Sequence, residues 1–171
     1  MNDPDIKAMI RVDQAGEFGA TRIYAGQLAV LGTRAEAARP IARMAAQEER
    51  HRQAFDRIVA ERGVRPTLLA PFWDKAGFLL GAATALISPE AAMACTAAIE
   101  TEIDRHYTEQ LEELGDEDPE LAEAIREFRD EEREHRDAAL AAGAERAPAF
   151  PLLFGAIRLG CRAAIKLSER I

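Results

Sequence analysis

Glu132-Arg133-Glu134-His135 and Glu48-Glu49-Arg50-His51 are one motif written twice, a Glu three residues before a His. Residues three apart on a helix share a face, so each motif offers a carboxylate and an imidazole to a single point. Two such pairs, with one further Glu from each of two other helices, make the ligand set of a di-iron or di-manganese carboxylate centre. Glu17 and Glu100 are the candidates for the further pair. Glu17 precedes Glu48 by 31 residues and Glu100 precedes Glu132 by 32. The first interval is centred between Gly32 and Thr33, the second on Asp116 beside Gly115, and both centres are turn-like. In a helical hairpin, residues equidistant from the turn sit at the same height. Each half of the chain would therefore set a Glu opposite a Glu-x-x-His.

Helical phase argues against reading these acids as solvated surface residues. Ile41, Met44, Glu48, His51, Phe55 and Ile58 follow a three-four alternation, as do Leu121, Ile125, Phe128, Glu132, His135 and Ala139. Met93, Ala97, Glu100, Tyr107, Leu111 and Leu114 fit it, and so do Ile10, Glu17, Ala20, Tyr24 and Leu31, with Asp13 as a polar member. The stripe that should face a core thus carries four Glu and two His. Buried together, four carboxylates would repel one another and lose hydration unless they took up protons or a cation. Two metal ions remove the difficulty. The oxygen-rich set without thiolates suits iron or manganese.

The elements that must hold these residues are helices. The 171 residues suit one domain with a real core. The formal net charge of −8 disfavours nonspecific nucleic-acid binding. Cys95 and Cys161 form no CxxC pair, point to neither a disulfide framework nor a zinc site, and fit a reducing compartment. Helical pattern begins almost at Met1, so no secretory or transit segment is expected. A first helix is expected over 3–31, capped at Asp3-Pro4 and stopped by Gly32, with Gly16 and Gly19 flanking Glu17. Those two glycines serve either close helix packing or space beside the site. Thr33 to Glu36 has capping-box spacing. The second helix runs to about Arg62, with Pro40 kinking its start or lying in its first turn, and Gly63 stops it. Ser88-Pro89 caps a third helix ending near Leu114, and Asp118-Pro119 caps a fourth ending near Ala142.

Two stretches lie outside this plan. Residues 64–87 are apolar and proline-punctuated, and the 14 residues from Ala76 to Pro89 carry no charge. That is short of the about 20 residues a spanning helix needs. They read as a buried crossover between the halves or as an apolar surface for membrane or lipid. In 147–171 an uncharged run is followed by Arg158, Arg162, Lys166 and Arg170, one basic helical face. Such a helix either lies on anionic lipid or packs on the bundle. The expected architecture is all-α, a ferritin-like four-helix bundle of two hairpin repeats, 3–62 and 88–143, with an apolar crossover segment and a C-terminal amphipathic helix. The whole of 1–171 forms a single domain.

Arg11 to Ala20 with Arg22 to Gln27, Ala94 to Glu100 followed by His106-Tyr107, and Phe128 to His135 together resemble the demethoxyubiquinone hydroxylase family. The resemblance covers nearly the whole chain. It departs from the family at Gln14, where most members have His, and at Arg136, where a second His is often found, and neither is a family ligand position. The resemblance implies a ferritin-like di-iron monooxygenase of ubiquinone biosynthesis that hydroxylates the ring of a demethoxy quinone with O2 and electrons from NADH. Two Fe ions would be held by Glu17, Glu48, His51, Glu100, Glu132 and His135. His106 and Tyr107 match family residues linked to substrate or electron transfer; read from the residues alone they are a satisfied polar residue and a core aromatic.

A lipid quinone substrate also implies a membrane surface as partner and no nucleic acid. The expected place is peripheral, on the cytoplasmic face of a bacterial inner membrane, or the matrix side of the mitochondrial inner membrane in a eukaryote. Self-association and a lipid-binding accessory protein of the same pathway are left open as partners. The other function this ligand set allows is a ferritin-like or rubrerythrin-like protein that oxidises iron or handles peroxide, which normally lacks the 64–87 and 147–171 surfaces.

Overall fold

Three side-chain caps start three helices. Asp5 Oδ1 accepts from the amide of Ala8 at 3.0 Å, Ser88 Oγ from Ala91 at 3.0 Å, and Asp118 Oδ1 from Leu121 at 3.1 Å. A computed structural model describes residues 5–32 and 36–171. The expected Asp3-Pro4 cap and most of the Thr33–Glu36 box lie outside the described residues. The elements are α1 (Ile6–Leu31), α2 (Ala38–Glu61), α3 (Ala70–Ile87), α4 (Pro89–Leu114), α5 (Pro119–Ala141), a 3-10 turn (Ala144–Arg146) and α6 (Phe150–Arg170). No strand occurs among the described residues, and the fold is an all-α helical bundle. Pro40 falls in the first turn of α2, where its missing N–H is harmless.

α1 packs along α2 on one side and α3 on the other, and α4 packs along α5, α6 and α3. Every residue of α4 from Ala91 to Glu100 is buried, because neighbours surround that end of the helix. The core forms two apolar clusters. One holds Ile10, Phe55, Ile103, Leu121, Ile125 and Phe128; the other holds Ala20, Tyr24, Ile41, Met44, Ala97 and Ala139. On each of α1, α2, α4 and α5 the candidate ligands fall in sequence between members of one cluster and members of the other. The polar layer is thus closed above and below by hydrocarbon.

Within the 64–87 stretch, which connects α2 to α4, Ala70–Ile87 form the helix α3. Its buried positions are small, Gly77, Gly81, Thr84 and Ala85, while Leu68, Phe72, Leu79, Leu86 and Ile87 are turned outward and are 55–74% exposed. The small face exists because α3 lies backbone to backbone on α1. A Cβ on Gly81 would overlap the carbonyl of Ile23, and one on Gly26 the carbonyl of Phe78. By contrast, a Cβ at Gly16 or Gly19 would meet nothing within 4 Å. Of the two readings of that pair, space is the one the structure takes.

α6 packs on the bundle through a residue that periodicity did not single out. Glu102, 1% exposed, accepts from Arg158 Nε at 2.5 Å, with Arg162 Nε at 3.9 Å. Two of the four basic residues on α6 therefore turn toward a buried carboxylate, and Lys166 and Arg170 remain exposed. Trp73 Nε1 donates to Ser168 Oγ at 3.0 Å, and the amide of Leu68 donates to the Ile171 carbonyl at 3.2 Å, so α6 is also tied to the start of α3. Among the described residues, no helix is long and apolar enough to cross a membrane.

The glycines should separate in a melting experiment. Gly81→Val forces α1 and α3 apart and should lower stability by about 1–3 kcal/mol. Gly16→Ala fills open space in a helix interior and should raise it by up to about 1 kcal/mol. Thermal melts of the two variants that shift in the same direction would contradict this packing.

Candidate metal centre

The six candidate ligands come from four helices: Glu17 from α1, Glu48 and His51 from α2, Glu100 from α4, Glu132 and His135 from α5. All six are 0–2% exposed. Ligand atoms of Glu17, Glu48, His51 and Glu132 lie within 4.8 Å of one another, and those of Glu48, Glu100, Glu132 and His135 do likewise. The two groups share Glu48 and Glu132, as two adjacent metal positions bridged by carboxylates would require.

Unsatisfied atoms test whether a metal fits. His51 Nδ1 lies 3.1 Å from Glu132 Oε1 and 3.4 Å from Glu17 Oε2, yet none of these three atoms has an aligned hydrogen bond. Both oxygens of Glu48 and Oε2 of Glu100 are likewise unpartnered. Orphaned buried carboxylate oxygens are costly, and here they crowd around two common points. The donor set, four carboxylates and two imidazoles, suits Fe or Mn. The residues present fit a dinuclear centre.

Charge without metal is handled by protons. Burial, with Glu132 beside it, pushes Glu48 well above the ordinary carboxylate range, and Glu100 is raised in the same way. Burial also raises Glu132, against the pull of His51. For His51, burial alone would lower the pKa, but the carboxylates of Glu132 and Glu17 beside its Nδ1 overcome it and push it up to about 12. His135 is raised against its own burial by Glu48 and Glu100.

A second layer holds the ligands. Tyr107 donates its hydroxyl to Glu17 Oε1, and Tyr24 donates to Glu100 Oε1 at 2.7 Å. Each tyrosine lies seven residues after one ligand Glu and serves the other, so the two halves exchange hydroxyls. Behind the rings, His51 Nε2 lies 3.0 Å from Glu131 Oε2 and His135 Nε2 lies 3.1 Å from Gln47 Oε1. Tyr24 was visible in the sequence only as a stripe residue, and Gln47 and Glu131 not at all. Setting the halves in register at Glu17 and Glu100 pairs Tyr24 with Tyr107 and Gln27 with Gln110, a repeat that could have exposed them.

His106 sits apart from the ligands. Its Nε2 lies 3.2 Å from Asp13 Oδ1, and it lines a small polar pocket of about 240 Å³ with Gln110, Glu109 and Glu113. In register, Asp13 and His106 are replaced by Thr96 and Ile23. The two departures from the family pattern also lie outside the cluster. Gln14 Nε2 donates to Asp56 at 2.9 Å, and Arg136 pairs with Asp104 at 3.0 Å.

A larger cavity of about 420 Å³ runs between α1, α3, α4 and α6, walled by Gly16, Gly19, Ala76, Leu80, Ile99, Ile103, Ile157 and Gly160 among others. Gly16 and Ile99 adjoin Glu17 and Glu100 in sequence. The two open glycines of α1 are what make room, and the wall is almost wholly hydrocarbon.

Compared with known proteins, residues 4–168 match the family described as ubiquinone biosynthesis protein COQ7. The chain is 56% identical over 173 residues to a 3-demethoxyubiquinol 3-hydroxylase of Rhodospirillum rubrum, covering 99% of this chain and 82% of that protein. It is 50% identical to the human mitochondrial NADPH-dependent 3-demethoxyubiquinone 3-hydroxylase, over 97% of this chain and 78% of that one. It is 42% identical to the mitochondrial 5-demethoxyubiquinone hydroxylase of Saccharomyces cerevisiae, over 95% and 77%.

Proton binding at the cluster should show in stability. Glu48, Glu100, Glu132, His51 and His135 all have raised folded pKa values. Such groups contribute stability that is complete below their unfolded pKa and is lost as pH rises through the folded one. The melting temperature of metal-free protein should therefore fall from about pH 5 to about pH 8. With Fe(II) or Mn(II) present the decline should flatten or reverse, because metal replaces those protons. Parallel melts with equal slopes would show that the cluster does not exchange protons for metal.

Proposed function

The chain belongs to the COQ7 family of ubiquinone biosynthesis proteins, and on that premise we propose that it is a ferritin-like di-iron monooxygenase acting on a demethoxyubiquinol or demethoxyubiquinone. The reaction converts a ring C–H to C–OH, consuming O2, two electrons and two protons and releasing water. The electrons come from a reduced nicotinamide nucleotide. NADH is the expectation from the sequence, whereas the human relative's name specifies NADPH.

The observation that carries the reading is the pair of four-residue ligand groups sharing Glu48 and Glu132. Glu17, Glu48, His51, Glu100, Glu132 and His135 would hold two irons, which when bound supply activation of O2. The chain's own residues do the rest. Tyr24 and Tyr107 fix the rotamers of Glu100 and Glu17 through hydroxyl hydrogen bonds. The two apolar clusters keep bulk water from the polar layer, which protects a reactive site from side reactions. The cavity beside Gly16 and Ile99 is large and apolar enough to take a quinone ring with part of an isoprenoid tail. That cavity also favours a hydroxylase over a protein that only oxidises iron or handles peroxide, since small inorganic substrates have no use for it.

The substrate's tail argues for a peripheral position on a membrane. Leu68, Phe72, Leu79 and Leu86 on and before α3, and Leu152 and Leu159 on α6, are the exposed apolar residues flanking the cavity's two outer helices. Lys166 and Arg170 would meet anionic headgroups. If the source is eukaryotic, the site would face the mitochondrial matrix.

Iron-loaded protein given a demethoxyubiquinol, a reductant and ¹⁸O₂ should yield product one labelled oxygen heavier by mass spectrometry. Glu132→Ala should lose both product and most bound iron, and Tyr107→Phe should keep iron and react more slowly. Product from an iron-free Glu132→Ala protein would sink the assignment. For the membrane, replacing Phe72, Leu86 and Leu152 with Ser should release the protein from anionic liposomes while leaving iron bound. Point variants are the right probe, because deleting α6 would strand Glu102 and strip α4. Unchanged co-sedimentation would remove these residues from the lipid contact.

A further inference from the structure

In register, Gln47 and Glu131 occupy the same place, one residue before each Glu of a Glu-x-x-His motif. Each backs the histidine of the other half. Glu131 Oε2 lies 3.0 Å from His51 Nε2, Gln47 Oε1 lies 3.1 Å from His135 Nε2, and Gln47 Nε2 donates to Glu131 Oε2 at 3.0 Å. Both rings thus have their outer nitrogen engaged by an oxygen and turn Nδ1 toward the carboxylates. The geometry is the same on the two sides and the charge is not, since a carboxylate stands behind one ring and a neutral amide behind the other.

A carboxylate accepting an imidazole N–H makes the ring a stronger donor, and its charge favours a cation on the far nitrogen more than an amide oxygen does. Tyr24 and Tyr107 serve Glu100 and Glu17 alike, and Phe128, which stacks on His51 at 4.2 Å where the register partner is Met44, brings no charge. Arg50 also reaches Glu131 at 3.0 Å, but its side chain is 58% exposed and its charge is screened by water. Its register partner, Glu134, is exposed as well.

We propose that this single difference makes the two metal positions unequal and sets their order of filling. The position formed by Glu17, Glu48, His51 and Glu132 binds a divalent cation more tightly and fills first. The position formed by Glu48, Glu100, Glu132 and His135 fills second. The inference rests on the dinuclear reading above and adds Glu131 and Gln47 to it as positioning residues that act through the histidines.

The test is an anaerobic titration of metal-free, full-length protein with Co²⁺, followed by calorimetry and visible absorption. Wild type should bind in two steps separated by about 10–100-fold in affinity. Sub-stoichiometric ⁵⁷Fe²⁺ should give one Mössbauer doublet before a second appears. His51→Ala should remove the tight step and His135→Ala the weak one. Glu131→Gln should weaken the tight step until the two merge, and Gln47→Glu should tighten the weak step. Both changes are isosteric, and each tests the idea alone if the other variant fails to fold. Two unequal steps that neither substitution moves, or a wild type that binds two ions with one affinity, would overturn the ordering and leave the dinuclear site standing. A wild type that binds no Co²⁺ or Fe²⁺ would overturn the dinuclear reading itself, and the ordering with it.

Discussion

Four carboxylates at one level inside a helical bundle must be neutralised, and the rest of the molecule is arranged around that requirement. Left ionised and dry, they would repel one another in a medium that screens poorly. Two histidines, the acids' own protons and, in the proposed state, two cations supply the compensation. The hydrocarbon clusters on either side keep water from doing it instead. Hydroxyls from Tyr24 and Tyr107 each satisfy one oxygen of Glu100 and Glu17 and leave the other oxygen free. A layer that would be a liability in a purely structural bundle is suited to hold cations.

The clustering of the six candidate ligands was legible because a helix of constant pitch converts sequence spacing into height and direction. Equal intervals about two turns were enough to bring Glu17 level with Glu48 and Glu100 level with Glu132. The caps at Ser88 and Asp118 were legible for a similar reason, being local hydrogen bonds within four residues. What escaped was set by contacts distant in sequence. Glu102 is followed two residues later by Asp104 and preceded by Glu100, so nothing in its type told that it is buried under Arg158. Glu131 and Gln47 sit beside ligands in motifs where the eye stops at the ligand. α3 was obscured because its buried face is built from glycine, threonine and alanine, and Phe72, Leu79, Leu86 and Ile87 point outward, inverting the usual pattern.

That inversion follows from how closely α1 and α3 approach. With Gly26 and Gly81 at the crossing, the two backbones touch, which gains dispersion contact over a long line with no large side chains between. Phe72, Leu79, Leu86 and Ile87 then lie on the outer face of α3, while Leu80 turns to the cavity. α6 completes the cavity from the opposite side, held by Glu102 and by the bond from Trp73 to Ser168. The cavity wall is therefore rigid where it meets α1 and anchored by polar bonds where α6 closes it.

The division of ligands between the halves bears on how the protein is made. One group takes three residues from the first hairpin and only Glu132 from the second; the other takes only Glu48 from the first and three from the second. Neither hairpin alone offers either group complete. During synthesis the chain emerges from its N-terminus and its early elements fold first, so α1 and α2 are exposed while α5 is still inside the ribosome. Neither candidate ligand group is complete during that interval. Each group is completed only when α5 packs against the earlier helices, so assembly of the site is coupled to closure of the hydrocarbon around it.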